Sequence, residues 1–118
     1  NISYDGFKAL LYYFYTGSIK DLSTCEIACE LKRISQWYDL EDLNDKSFLY
    51  IQSKISIDNV ICLFKCAISL EPKLDDVEKI ALKFIAKNFQ QLQEQPEFKS
   101  LPVNMLLTIT QFYAQFYK

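Results

Sequence analysis

Residues 75–93 read DDVEKIALKFIAKNFQQLQ, and their apolar positions Val77, Ile80, Ala81, Phe84, Ile85 and Phe89 recur every three or four residues. That period matches the turn of an α-helix and not the alternation of a half-buried strand. Asp75 and Asp76 open the stretch, where carboxylates favour the positive end of a helix dipole. The pattern predicts one helix from about Asp75 to Gln93, with Gln90 to Gln95 as its solvated end.

Working outward, the same period returns on both sides. Upstream, a segment after Ser56, a plausible N-cap, carries Val60, Ile61, Leu63, Phe64, Ala67 and Ile68 until Pro72 stops it. About Leu40 to Ser53 forms another, with Leu43, Leu49, Tyr50 and Phe48 turned inward. Ser23 followed by Glu26 has the capping-box spacing and opens a segment running through Ile27, Leu31 and Ile34 towards Tyr38. The first segment spans about Ser3 to Tyr15, where Phe7, Leu10, Leu11 and Phe14 make an apolar stripe, and Gly17 suits the positive φ that ends a helix. Downstream, Pro96 begins a short turn bearing Phe98, and Pro102 suits the first turn of a last helix with Met105, Leu106, Ile109, Phe112 and Phe116. No segment alternates like a strand, and with only 2 glycines tight hairpins are disfavoured. The expected fold is all-α, built from consecutive antiparallel helices with short connections.

Composition narrows the function. The chain has 118 residues, 50% of them hydrophobic, with a net charge of -2. A domain of this size removes roughly two-thirds of its unfolded surface from water, so a core can form without disulfides or metal. There is no histidine, which removes histidine triads, imidazole acid–base chemistry and His-ligated zinc. Two glycines cannot furnish a phosphate-cradling loop. No catalytic residue, no cofactor and no enzyme activity are therefore expected. With 13 Lys+Arg against 15 Asp+Glu, the basic excess that nucleic acid requires is missing. The longest apolar run, Ala9 to Tyr15, is far short of the roughly 20 residues that span a bilayer, so neither nucleic acid nor membrane is an expected partner.

Four cysteines form two C-x-x-x-C pairs, Cys25 with Cys29 and Cys62 with Cys66. On a helix each pair shares a face but cannot easily adopt disulfide geometry within one regular helix. Reduced thiols and an intracellular location, cytoplasmic or nuclear, follow as expectations. Small buried core thiols are the favoured reading. A zinc ion held by four thiolates is the alternative, should the two helices face each other. The acidic pairs Glu41-Asp42 and Asp75-Asp76 read as helix-start electrostatics. In Tyr12-Tyr13-Phe14-Tyr15 the rings cover every face of a helix; burying Phe14 and half-exposing the tyrosines accounts for them, and an interface with another part of the protein or a second chain is the competing use.

These landmarks also resemble a family. Ile2-Ser3 followed by Phe7, Leu10, Leu11 and Tyr15-Thr16-Gly17 is similar to the "F..LL.Y.YTG" pattern in the C-terminal half of a BTB (POZ) domain. Ile27 to Leu43 resembles that family's next helix pair, and Ile55 to Val60 with Ala67 and Leu74 resembles the segment called the 3-box. Phe84-Ile85-Ala86-Lys87-Asn88-Phe89 with Pro96 to Pro102 and Leu106 resembles the start of a BACK domain. The resemblance implies residues 1–54 as the helical half of a BTB domain and 55–118 as 3-box and BACK helices. It further implies an adaptor that does no chemistry and links a target, held by another domain, to a cullin-3 RING ubiquitin ligase. Tyr38, Ile57, Asn59 and Leu63 match its cullin-facing segments. The family's dimerising N-terminal half and its hydrophobic-x-Glu cullin motif lie outside these 118 residues, so the expected homodimer rests on a part not in this sequence. A self-association scaffold without cullin and a cysteine-based zinc or redox module are the alternatives.

Overall fold

The computed structural model describes residues 2–19, 22, 25–69 and 73–116. Among them are eight helices and no strand: α1 Tyr4–Thr16, α2 Cys25–Trp37, α3 Glu41–Lys54, α4 Val60–Ser69, α5 Asp75–Lys87, α6 Phe89–Leu92, α7 Pro96–Lys99 and α8 Val103–Phe116. The all-α expectation holds. Ser23 and Pro72, expected as a cap and a stop, fall outside the described residues.

Local chemistry sets the ends. Ser3 caps α1, its hydroxyl accepting the Gly6 N–H at 3.0 Å. Gly17 closes the helix at φ +73°, donating its N–H to the Tyr13 carbonyl, a conformation that costs a Cβ-bearing residue more than glycine. Ser56 is not the side-chain cap expected for α4. Instead Asn59 organises that turn: its side-chain oxygen accepts the Ser56 N–H at 2.9 Å and its amide donates to the Lys54 carbonyl at 2.7 Å.

The helix expected to run to Gln93 breaks at Asn88, whose backbone is non-helical (φ −119°, ψ 28°). Its N–H is shared between the Phe84 and Ile85 carbonyls, and its side chain donates to Phe84 as well. Such local side-chain bonding competes with helix continuation. The break turns Phe89 onto Phe98 and Tyr113, with ring centroids 5.7 and 4.8 Å apart, and buries Leu92.

Two apolar clusters form the core, and α4 and α5 serve both. One gathers Val60, Phe64, Ala81, Ile85, Leu101 and Ile109 between α4, α5 and α8. The other joins Ala28 and Cys29 of α2 to Ile51 of α3, Leu63 and Ala67 of α4 and Val77 of α5. Lys32 is fully buried beside the second cluster. Its ammonium meets Asp76 at 2.7 Å, donates to Asn44 and lies 5.1 Å from the centre of the Phe48 ring, so one cation ties α2 to α3 and α5.

Two inward assignments are overturned. Leu49 is exposed because α3 turns Leu43, Ser47 and Ile51 to the core, a set four residues apart that places Leu49 on the far side. On α1 most of the stripe expected inside faces out: Phe7, Leu11 and Phe14 are exposed, Phe14 by 58%, and of the four only Leu10 is half-buried. The side turned to the protein carries Gly6 and Tyr13 instead. Gly6 is buried, and a Cβ there would collide with Glu30 and crowd Ile2 and Ser3.

Candidate interaction surface and thiol cluster

Helix α1 is held by polar contacts. Ser3 donates its hydroxyl to Glu30 on α2 at 2.7 Å, and Tyr13 donates its hydroxyl to Asp42 on α3 at 2.6 Å. Lys46 bridges Asp42 at 3.0 Å, donates to the Gly17 carbonyl and lies 5.7 Å from the centre of the Tyr13 ring. The Tyr13 hydroxyl is pushed up to about 12, chiefly because it donates to a carboxylate. That same bond, followed by Lys46, holds the Asp42 carboxyl below its usual range. With its attachments on the Gly6–Tyr13 side, the helix presents Tyr4, Phe7, Leu11, Phe14 and Tyr15 to solvent. At 100° per residue these five side chains lie within roughly 100° of arc, a continuous apolar stripe.

The cullin-facing candidates occupy two places. Tyr38 follows the end of α2 and is 67% exposed, next to exposed Trp37; Asp39 after it takes a positive φ of 56°, which aspartate tolerates better than most residues. Ile57 and Asn59 sit in the turn before α4. Ile57 is half-buried against the α4–α5–α8 cluster, and Asn59 spends its amide on the turn. Leu63 is 2% exposed, packed with Ala28 and Cys29. In this arrangement it supports α4 from beneath and offers no surface, because α4 is packed on two sides.

At the opposite end of α2 from Tyr38, the two cysteine pairs meet. Helix α2 packs on α4, and the sulfurs of Cys25, Cys62 and Cys66 all lie within 4.8 Å of one another. Hydrogen bonding from the neighbouring Cys25 and Cys29 thiols holds the Cys66 ionisation below the usual thiol range. Cys25 and Cys29 are pushed up because they donate to it, and Cys62 is raised mainly by burial. All four are free. A cleft of about 410 Å³ opens beside them, lined by Glu26, Glu30, Cys29, Cys62, Lys65 and Cys66. The C-x-x-x-C spacing gave the two helix faces, and the packing of α2 on α4 brings them together.

The geometry is that of a helical array whose exposed surface is rich in aromatic and aliphatic side chains, and among its described residues no helix is long and apolar enough to cross a membrane. Residues 62–111 match the family model of the BACK domain, "BTB And C-terminal Kelch", a protein-interaction element of BTB-Kelch proteins. The match runs from the first turn of α4 into α8, taking in most of the first core cluster. Comparison with curated proteins and with solved structures gave no match.

Proposed function

We propose that the chain is the interaction module of a substrate adaptor that links a target protein to a cullin-3 RING ubiquitin ligase and does no chemistry itself. The observation that carries this reading is the BACK match over residues 62–111, lying downstream of the BTB-like landmarks at Phe7 to Gly17 and Ile27 to Leu43 in the family's order. Exposed Tyr38 and Trp37 at the α2–α3 turn, with half-buried Ile57 at the start of the 3-box-like segment, are the side chains offered to the cullin. Asn59 acts by holding that turn. An adaptor of this kind works by raising the effective concentration of one partner near another, and dimerisation multiplies the effect. Calorimetry of the protein against a cullin-3 N-terminal domain tests it. Saturable binding, weakened about fivefold or more by Tyr38→Ala, is expected, since tyrosine is enriched among the interface residues whose truncation costs more than about 1 kcal/mol. A folded protein that binds no cullin ends the reading.

Self-association without cullin is a second reading, favoured by the stripe Tyr4, Phe7, Leu11, Phe14 and Tyr15 on α1, with a second copy of the chain as its occupant. Light scattering that gives a dimer or larger species, converted to monomer by Phe14→Glu, supports it. A monomer at every concentration eliminates it.

A further inference from the structure

Every cysteine of the chain falls at one spot, on the α2–α4 contact, and the interaction reading uses none of them. Free cysteines that merely fill a core have no reason to gather, since their packing value is that of any small apolar side chain. Nor is the spot dry: Cys25, Cys62 and Cys66 are only half-buried, and the cleft lined by Glu26, Glu30 and Lys65 gives an entry path from solvent.

We propose that Cys25, Cys62 and Cys66 form a zinc site that joins α2 to α4. Zinc–sulfur bonds of about 2.3 Å set the sulfurs of a tetrahedral site roughly 3.8 Å apart. The three here lie within 4.8 Å of one another, so side-chain rotations of about 1 Å close the site without moving a helix. Cys62 and Cys66, one turn apart on α4, form the clamp, and Cys25 closes it from α2. A fourth donor is at hand on α2: Cys29, one turn beyond Cys25, or Glu26, whose carboxylate oxygen is 3.9 Å from the Cys62 sulfur. Lys65, which lines the same cleft as Cys62 and Cys66, offsets part of the negative charge that three thiolates leave on the zinc complex. On binding, each ligating thiol still protonated gives its proton to the buffer and a sulfur lone pair forms the metal bond; no electron changes hands. The site is independent of any cullin interaction, and its effect is to fasten the α1–α3 part of the chain to the α4–α8 part.

The reduced protein, stripped of metal with a chelator, is titrated with zinc chloride and, for its visible spectrum, with cobalt(II). One metal per chain is expected, with intense thiolate-to-cobalt absorption. Cys62→Ser and Cys66→Ser should each weaken binding at least about 100-fold, beyond the loss typical of an outer-shell change. Maleimide labelling of the wild-type chain needs no variant: one equivalent of zinc should protect Cys25, Cys62 and Cys66 together. Absence of stoichiometric binding by folded, reduced protein overturns the site, as does binding that Cys62→Ser leaves unchanged or protection that misses any of the three. A Cys25–Cys66 disulfide formed in the presence of zinc also overturns it.

Discussion

Helix α4 buries Val60, Ile61, Leu63, Phe64 and Ala67, whereas α1, rich in apolar and aromatic residues too, buries Gly6 alone. Hydrophobicity therefore does not separate them; partners do. Helix α4 lies between α2 and α5 and gives side chains to both core clusters. Helix α1 is fastened to the rest of the chain by a close-packed glycine, a capping serine and a tyrosine whose hydroxyl and ring meet Asp42 and Lys46, and its exposed apolar stripe faces outward. One helix organises this chain's own interior. The other is attached by polar contacts and keeps its apolar face for something else.

The most direct way to break that contrast is to remove one phenylalanine from each helix. Phe64, with 0% exposure on α4, should cost about 3–5 kcal/mol as Phe64→Ala, by lost transfer energy and the cavity left behind. Phe14→Ala on α1 should change stability by less than about 0.5 kcal/mol, as exposed positions usually do. Urea unfolding of both variants measures the gap, and equal losses would mean that the α1 stripe is buried in solution. Next in size is Lys32→Ala. Removing a partner from a buried pair is strongly destabilising, but Asp76 is partly open to water and can be resolvated. The expected loss is about 2 kcal/mol, less than a fully enclosed pair would give. Lys32→Met, which keeps the packing over Phe48, should lose less than Lys32→Ala; equal losses would show that the charge dominates.

A smaller effect probes the attachment of α1. Nothing lies within 4 Å of a Cβ added at Gly17, so space is free there and the positive φ alone opposes a side chain. Gly17→Ala should therefore cost about 1 kcal/mol. A thermal melt that shows no change would indicate that the end of α1 has rearranged around the new residue.

The helices themselves were legible because a period near 3.6 survives in every long segment, and Gly17, Asp75 and Pro102 mark ends by mechanisms that act within a few residues. Which face of a helix turns inward is a different question. The stripe Phe7, Leu10, Leu11 and Phe14 shows that these residues share a side, but burial depends on a partner that periodicity does not supply. The signal for α1's inner side was Gly6, a small residue inside a helix, where a lost Cβ permits close approach. For α4 the sign was apolar residues on all sides of the helix, which mean burial from two directions and take Leu63 off the surface. Asn88 was readable too, as a residue whose side chain competes with the helix backbone. The cysteine pairs gave two faces, and only tertiary packing decided that they meet.

The finest test of α1's polar attachment is its pH dependence, read through Tyr13 and Asp42. Asp42 ionises below its ordinary 3.8 in the folded chain because the Tyr13 hydroxyl and then Lys46 hydrogen-bond to the carboxylate. A depressed carboxyl contributes stability that is present above its unfolded value and is lost as pH falls through the folded one, so the link weakens below about pH 4. Tyr13 moves the other way, from 10.0 to about 12. Its contribution is full below pH 10 and disappears as pH rises through about 12. The stability difference between the wild-type chain and Tyr13→Phe should therefore be flat between these limits and close towards zero at each end, with added salt reducing only the Lys46 part. A difference that stays constant through the acid limb would mean that the Tyr13 hydroxyl finds another acceptor and that α1 is not tethered to α3 through Asp42.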